Sequence, residues 1–160
     1  MPRLFVAVWP PDSVVEDLAQ LPRQAAPGVS WTKARRLHIT LRFLGECDQD
    51  EVLSALTSGS FPNARVTLGP SPQRLGRDVL MLPAEGVDEL AASVGEATRF
   101  VGDPLPDRPF VGHMTVARFR RRQPSADWPQ LNDAFDVSHI SLVESTPWGE
   151  YADVATFPLR

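Results

Sequence analysis

The sequence predicts an α+β fold built on a mixed or antiparallel sheet. Three observations predict it: segments of two-residue alternation interleaved with segments of helical spacing, connections of uneven length, and strand candidates joined by short Pro- and Gly-bearing turns. Alternating strands and helices alone would suit a parallel sheet, but short turns between strands require antiparallel neighbours.

The first apolar run, Leu4 to Trp9, reads as a buried strand. Pro11-Asp12-Ser13 then starts a helix carrying Val14, Val15, Leu18 and Leu21. Leu37 to Leu44 alternates, with Ile39, Leu41 and Phe43 on an apolar side and His38, Thr40 and Arg42 on a polar one, the period of a strand with one face on the core. A second helix runs from Asp48 to Leu56, capped by Asp48 or Asp50, with Val52, Leu53 and Leu56 inward. Arg65–Leu68 and Val79–Leu82 are short strands, and Val87 to Val101 is a third helix with Leu90, Ala91, Val94 and Ala97 on its core side. Phe110 to Phe119 returns to strand. His139–Glu144 and Tyr151–Phe157 close the chain as a hairpin across Pro147-Trp148-Gly149.

A chain of 160 residues can enclose a core without disulfides or a structural metal. Its 16 prolines stand between apolar runs and punctuate loops, with no low-complexity tract. Cys47 is the only cysteine, no leader is evident, and no stretch approaches the ~20 apolar residues of a membrane span, so a soluble chain in the reducing cytoplasm is expected. The net charge of −4 argues against a protein that coats nucleic acid along its length. Positive charge nevertheless gathers locally: Lys33, Arg35, Arg36 and Arg42 bracket His38, and Arg118, Arg120, Arg121 and Arg122 follow His113, which suits a small anionic ligand.

Chemistry is carried by a repeat. Leu37-His38-Ile39-Thr40-Leu41-Arg42-Phe43 and Gly112-His113-Met114-Thr115-Val116-Ala117-Arg118-Phe119 share His, apolar, Thr, apolar, then Arg-Phe. With eight threonines in the chain, two of three histidines acquiring a Thr two residues on has odds of roughly 1% from composition. On a strand such a pair shares a face and spans roughly 6 to 7 Å, enough for one imidazole and one hydroxyl to hold a phosphate together. Two such strands would set an imidazole on each side of a phosphorus, one as base and one as acid, since an unperturbed pKa near ~6.5 lets both forms coexist at neutral pH. Hydroxyls and a guanidinium would meet the charge on the phosphoryl oxygens.

These tetrapeptides, His38-Ile-Thr-Leu and His113-Met-Thr-Val, resemble the paired signatures of the two-histidine phosphoesterases, and most of all the RNA 2′,3′-cyclic phosphodiesterases, also called 2′-5′ RNA ligases. The resemblance extends to Arg3-Leu-Phe-Val-Ala-Val-Trp-Pro-Pro, to Leu37 through Glu46, to Arg108 through Arg118 and to Leu142-Val-Glu-Ser145. It implies one domain over residues 1–160, two-lobed and pseudo-twofold, with two mainly antiparallel sheets facing a central cleft and helices outside. It further implies hydrolysis of a 2′,3′-cyclic phosphate at an RNA or nucleotide end to a 2′-phosphomonoester, without metal or other cofactor. Ligation to a 2′-5′ bond would be the reverse reaction. By matching position, His38 is the acid toward the leaving 3′ oxygen, His113 the base toward water, Thr40 and Thr115 bind phosphate, and Arg118 assists them. The expected partner is an RNA with a cyclic phosphate end, or a cyclic nucleotide; no membrane and no obligate protein partner are implied, and the chain is expected to be a monomer. Gly112 departs from the family, which often has proline there, and is expected to loosen the backbone. Strict alternation from His113 would also put Ala117, not Arg118, on the catalytic face unless a bulge intervenes.

Rival chemistries lack their residues. Neither histidine has a second His, Cys, Asp or Glu at zinc-ligand spacing, no Gly-x-Ser-x-Gly or Gly-x-x-x-x-Gly-Lys occurs, and Cys47 sits in a turn without a partner histidine. His139 lacks a Thr partner and reads as structural. Trp9, Trp31, Phe43, Trp128 and Trp148 could stack on a base, with core packing as the default for all five. The competing functional class is a non-catalytic module that binds RNA ends or nucleotides through the same cleft.

Overall fold

The computed structural model describes residues 1–22, 27–121 and 130–160. Arg122 and Trp128 lie outside the described residues. The strands are β1 (Arg3–Val8), β2 (Val29–Trp31), β3 (Ile39–Glu46), β4 (Ala64–Leu68), β5 (Gln73–Leu75), β6 (Val79–Glu85), β7 (His113–Phe119), β8 (Asp133–Val137), β9 (His139–Ser145) and β10 (Tyr151–Pro158). The helices are α1 (Asp12–Ala19), α2 (Gln49–Thr57) and α3 (Asp88–Ala97), with a 3₁₀ turn at Ala34–Arg36.

Pairing is antiparallel throughout, in the order β10-β9-β1-β3-β7-β6-β4-β8, with β2 added to β7 and β5 to β6. The path divides into two groups, β10-β9-β1-β3 and β7-β6-β4-β8, and the join between β3 and β7 is the one pair Ile39↔Met114. The expected two-lobed α+β arrangement is therefore present as two antiparallel halves of one curled sheet.

One face of the sheet is covered by helices. Val14 and Leu18 of α1, Val52 and Leu56 of α2, and Leu90, Ala91 and Val94 of α3 bury against Leu4, Val6, Ile39, Leu44, Met114, Ile140 and Leu142. Both residues of the joining pair, Ile39 and Met114, are fully buried there. Burial of a large aliphatic side chain is worth about 1.5–3 kcal/mol, so this core anchors the strands from behind and leaves the opposite face for function. α2 begins where expected: Asp48 Oδ1 accepts from the amides of Asp50 (2.9 Å) and Glu51 (3.2 Å).

Candidate active site

Bulges decide which side chains of β3 and β7 reach the open face. In the β1–β3 ladder Ala7 pairs with Thr40 and Val6 with Arg42, so Leu41 is an extra residue. In the β6–β7 ladder Met81 pairs with Thr115 and Leu80 with Ala117, so Val116 is extra. Each bulge falls on the residue after the motif threonine and reverses the alternation beyond it.

Two expectations are corrected by the first bulge. Phe43, assigned to the apolar side of its strand, is 65% exposed on the open face, and Arg42, assigned to the polar side, is buried at 4%. Arg42 donates through Nε to Thr98 Oγ1 (3.2 Å) and through Nη2 to the carbonyls of Thr98 (3.4 Å), Val101 (3.3 Å) and Asp103 (2.7 Å), tying the segment after α3 to β3. It therefore does not bracket the histidine with free charge. The second bulge turns Arg118, paired with Val79, onto the face of Thr115 and His113, which pair with Met81 and Pro83. Without a gap, Arg118 is equivalent to Phe43, and Arg42 to Ala117.

The Ile39↔Met114 pair sets the register of the four motif side chains. Continued one residue each way, it puts His38 opposite Thr115 and Thr40 opposite His113, all on the face away from the buried pair. Directly paired strands hold such residues about 4.5–5.5 Å apart at Cα. Here the strands splay beyond one pair, which opens the quartet. His113 and Arg118 are both near enough to His38 for their positive charge to oppose its protonation.

Both imidazoles are oriented alike. His38 Nδ1–H donates to the carbonyl of Arg36 (2.6 Å), and His113 Nδ1–H to that of Val111 (2.8 Å). A carbonyl only accepts, so Nδ1 carries hydrogen and each Nε2 is left for chemistry. Thr40 Oγ1 lies 3.0 Å from His38 Nε2, while His113 Nε2 has no partner among the described residues.

Aromatic rings enclose His38, a feature missed in the sequence. Its ring centroid lies 5.1 Å from Phe5, 5.4 Å from Tyr151 and 5.5 Å from Trp9, the last two edge-on. Trp9 Nε1 donates to Asp153 Oδ1 (2.8 Å), and the Arg36 guanidinium lies 4.5 Å above the Tyr151 ring. Burial pushes the His38 pKa below its ordinary 6.5, and the nearby charges of Arg36, His113 and Arg118 act in the same direction; the bond to the Arg36 carbonyl opposes them. Tyr151 is the only tyrosine in the chain. Its place opening a strand was a signal of sorts, but nothing local tied it to a histidine 113 positions earlier.

Of the other aromatic candidates, Trp31 is half-buried against Leu80, Ala117 and Phe119. Trp148 is exposed in the β9–β10 turn, so core packing fails for it as for Phe43. Gly112 does not loosen the chain: a Cβ there would run into the Ala84 carbonyl, while Ala84 N donates to Gly112 O (2.9 Å). Glycine at this position allows backbone contact with β6 directly before His113. Cys47 is buried and its thiol pKa is raised by that burial, the reverse of an activated nucleophile. His139 is exposed and bonded to Ser138 Oγ at 2.9 Å. Among the described residues no group of three or more His, Cys, Asp or Glu could hold a metal ion, and no helix is long and apolar enough to cross a membrane.

Known proteins share this architecture. The model of the family described as LigT like Phosphoesterase matches residues 8–70. The RNA 2′,3′-cyclic phosphodiesterase of Archaeoglobus fulgidus is 34% identical over 134 residues, covering 76% of this chain and 75% of the relative. A crystal structure from Thermus thermophilus superimposes with a TM-score of 0.78 at 28% identity, covering 99% of this chain and 98% of the other. E. coli LigT complexed with NADP+ does so with a TM-score of 0.81 at 25% identity, covering 99% and 97%.

Proposed function

Because the chain belongs to the LigT-like phosphoesterases, as its likeness to an RNA 2′,3′-cyclic phosphodiesterase over three-quarters of both chains requires, we propose that it hydrolyses 2′,3′-cyclic phosphates at RNA or nucleotide ends to 2′-phosphomonoesters. The observation that carries this proposal is a pair of imidazoles, each with Nδ1 fixed on a carbonyl, on two strands whose one shared pair sets both histidines and both motif threonines on the same face.

His113 Nε2 accepts a proton from water as the water oxygen bonds to phosphorus. The bond from phosphorus to the 3′ oxygen breaks opposite, and His38 Nε2–H protonates that oxygen, leaving the phosphate on the 2′ oxygen. Thr40, Thr115 and Arg118 bind the non-bridging oxygens, whose charge grows in the transition state. The acid role of His38 requires a proton that its enclosure disfavours in the free protein. An arriving phosphate anion acts against that effect, since a negative neighbour raises an imidazole pKa. Proton uptake by His38 and substrate binding are thereby coupled.

Residues 1–160 act in this proposal as one two-lobed domain, monomeric and cytoplasmic, on an RNA end or a cyclic nucleotide, with no resident cofactor. Run backward with a 5′ hydroxyl in place of water, the same groups would join RNA through a 2′-5′ bond; dilute aqueous conditions favour hydrolysis. The test is incubation with 2′,3′-cyclic nucleotides in excess chelator, with products resolved as 2′ or 3′ monophosphates. The 2′ product is expected with chelator present. The 3′ product alone, or activity that vanishes on chelation, overturns the proposed reaction.

A further inference from the structure

A nucleotide with a 2′,3′-cyclic phosphate is attached to the rest of an RNA only through its 5′ oxygen, so an RNA end seated in the site must leave it along one path. Charge on the surface marks such a path. Two basic runs far apart in sequence, Lys33-Ala-Arg35-Arg36 and Arg118 through Arg121, are laid end to end along one edge because β2 pairs antiparallel with the outer half of β7, Val29 with Phe119, Ser30 with Arg118 and Trp31 with Ala117: the first run leaves β2 at the motif end and the second continues β7 at the far end. Thr32 N continues the ladder to Val116 O (3.0 Å), and the 3₁₀ turn then bulges out before Ile39 rejoins β7 at Met114. The turn thus fills the fork beside the motif quartet.

Lys33, Arg35, Arg118, Arg120 and Arg121 are exposed and Arg36 is half-buried. None of the six is ion-paired to a carboxylate among the described residues. Arg120 N donates to the Gly28 carbonyl (2.7 Å), extending the contact with the β2 side past the end of β7. Arg118 in β7 and Arg120 just past its end present two exposed guanidinium groups two residues apart. Asp78, whose carbonyl accepts from Phe119 N (2.8 Å), is the acidic neighbour on the β6 side. The other end of β3 is acidic instead, with Glu46, Asp48, Asp50 and Glu51 running into α2, while Glu150 precedes β10 and Asp153 lies within it. A phosphodiester strand is drawn to the first edge and repelled by the second.

We infer that the edge formed by Lys33, Arg35 and Arg36 with Arg118, Arg120 and Arg121 carries the single-stranded RNA backbone on the 5′ side of the cyclic phosphate, making oligonucleotide ends better substrates than mononucleotides. This inference rests on the proposed reaction and selects its substrate class. Its experiment compares adenosine 2′,3′-cyclic phosphate with a short oligoadenylate bearing the same end, in the wild type and in a K33Q/R35Q/R120Q/R121Q variant, across a salt series. The wild type is expected to show a KM at least tenfold lower for the oligonucleotide. That advantage should decline with salt at a log–log slope of about 0.7 per phosphate contacted. The variant should lose both the advantage and the slope while keeping mononucleotide kcat/KM within twofold. Equal KM values for the two substrates in the wild type, or an advantage and slope unchanged in the variant, overturn the inference. A wild type inactive on the mononucleotide and the oligonucleotide alike would instead count against the proposed reaction.

Discussion

β3 and β7 use the same local backbone device and surround it differently. Each places a histidine and a threonine on the open face, fixes the imidazole through the carbonyl two residues before it, and inserts a bulge directly after the threonine. Beyond the bulge the halves part: β3 exposes Phe43 and buries Arg42, whereas β7 exposes Arg118 and buries Ala117. His38 is walled by Phe5, Trp9 and Tyr151, while no ring among the described residues packs on His113. Backbone geometry sets how each imidazole is oriented, and the neighbours of His38 set how readily it takes a proton.

The largest effect separating the halves should come from the histidines themselves. His113→Ala and His38→Ala are each expected to lower kcat by at least 10²–10⁴-fold, the range of general acid–base catalysis. Binding of a 2′-phosphomonoester, followed calorimetrically, should persist in His113→Ala. A variant that retains turnover would favour the non-catalytic module with contaminating activity.

Replacing the hydroxyls comes next. Thr40→Val and Thr115→Val should each cost about 10²–10³-fold in kcat if the two halves share the oxyanion load evenly. Unequal losses would show that Arg118, present in one half only, has taken over part of the work on its side.

Third is the buried equivalent pair. Arg42→Ala removes charged donors from Thr98 and from the carbonyls of Val101 and Asp103, and should destabilise folding by about 3 kcal/mol in denaturant titrations. The matching position on β7 already carries alanine and needs no such tie.

The smallest expected effect concerns pH. Tyr151→Leu removes one wall around His38 and should return its pKa toward 6.5, visible by NMR titration of the imidazole. In the wild type the folded-state value lies below the unfolded one, so between the two the unfolded chain binds more protons. The His38 contribution to stability is therefore complete above 6.5 and is lost as pH falls through the folded value. That acid-side loss should shrink in Tyr151→Leu; an unchanged profile would assign the shift to Phe5 and Trp9.

Much of this was legible before the fold was known. Helices α1, α2 and α3 follow from apolar spacing, and the duplicated His-x-Thr units are plain in the chain. The bulges were not, because an inserted residue leaves an apolar/polar pattern almost unchanged while reversing every later side chain. Aligning the two Arg-Phe pairs with a gap concealed that Phe43, not Arg42, matches Arg118. Strands β2, β5 and β8 escaped for another reason: they are three to five residues long and derive their extended form from the neighbours they pair with. Tyr151 and Trp9 reach His38 only through the order β10-β9-β1-β3, a long-range arrangement absent from local periodicity.

The single β3–β7 backbone pair, Ile39 with Met114, sits directly behind the four motif side chains. Arg42 of β3, bound to the segment after α3, is a second tie between the halves, while each half keeps its own ladder of hydrogen bonds. Trimming or enlarging Ile39 or Met114 is expected to change the gap between the strands that carry His38 and His113 while leaving each histidine in its own ladder.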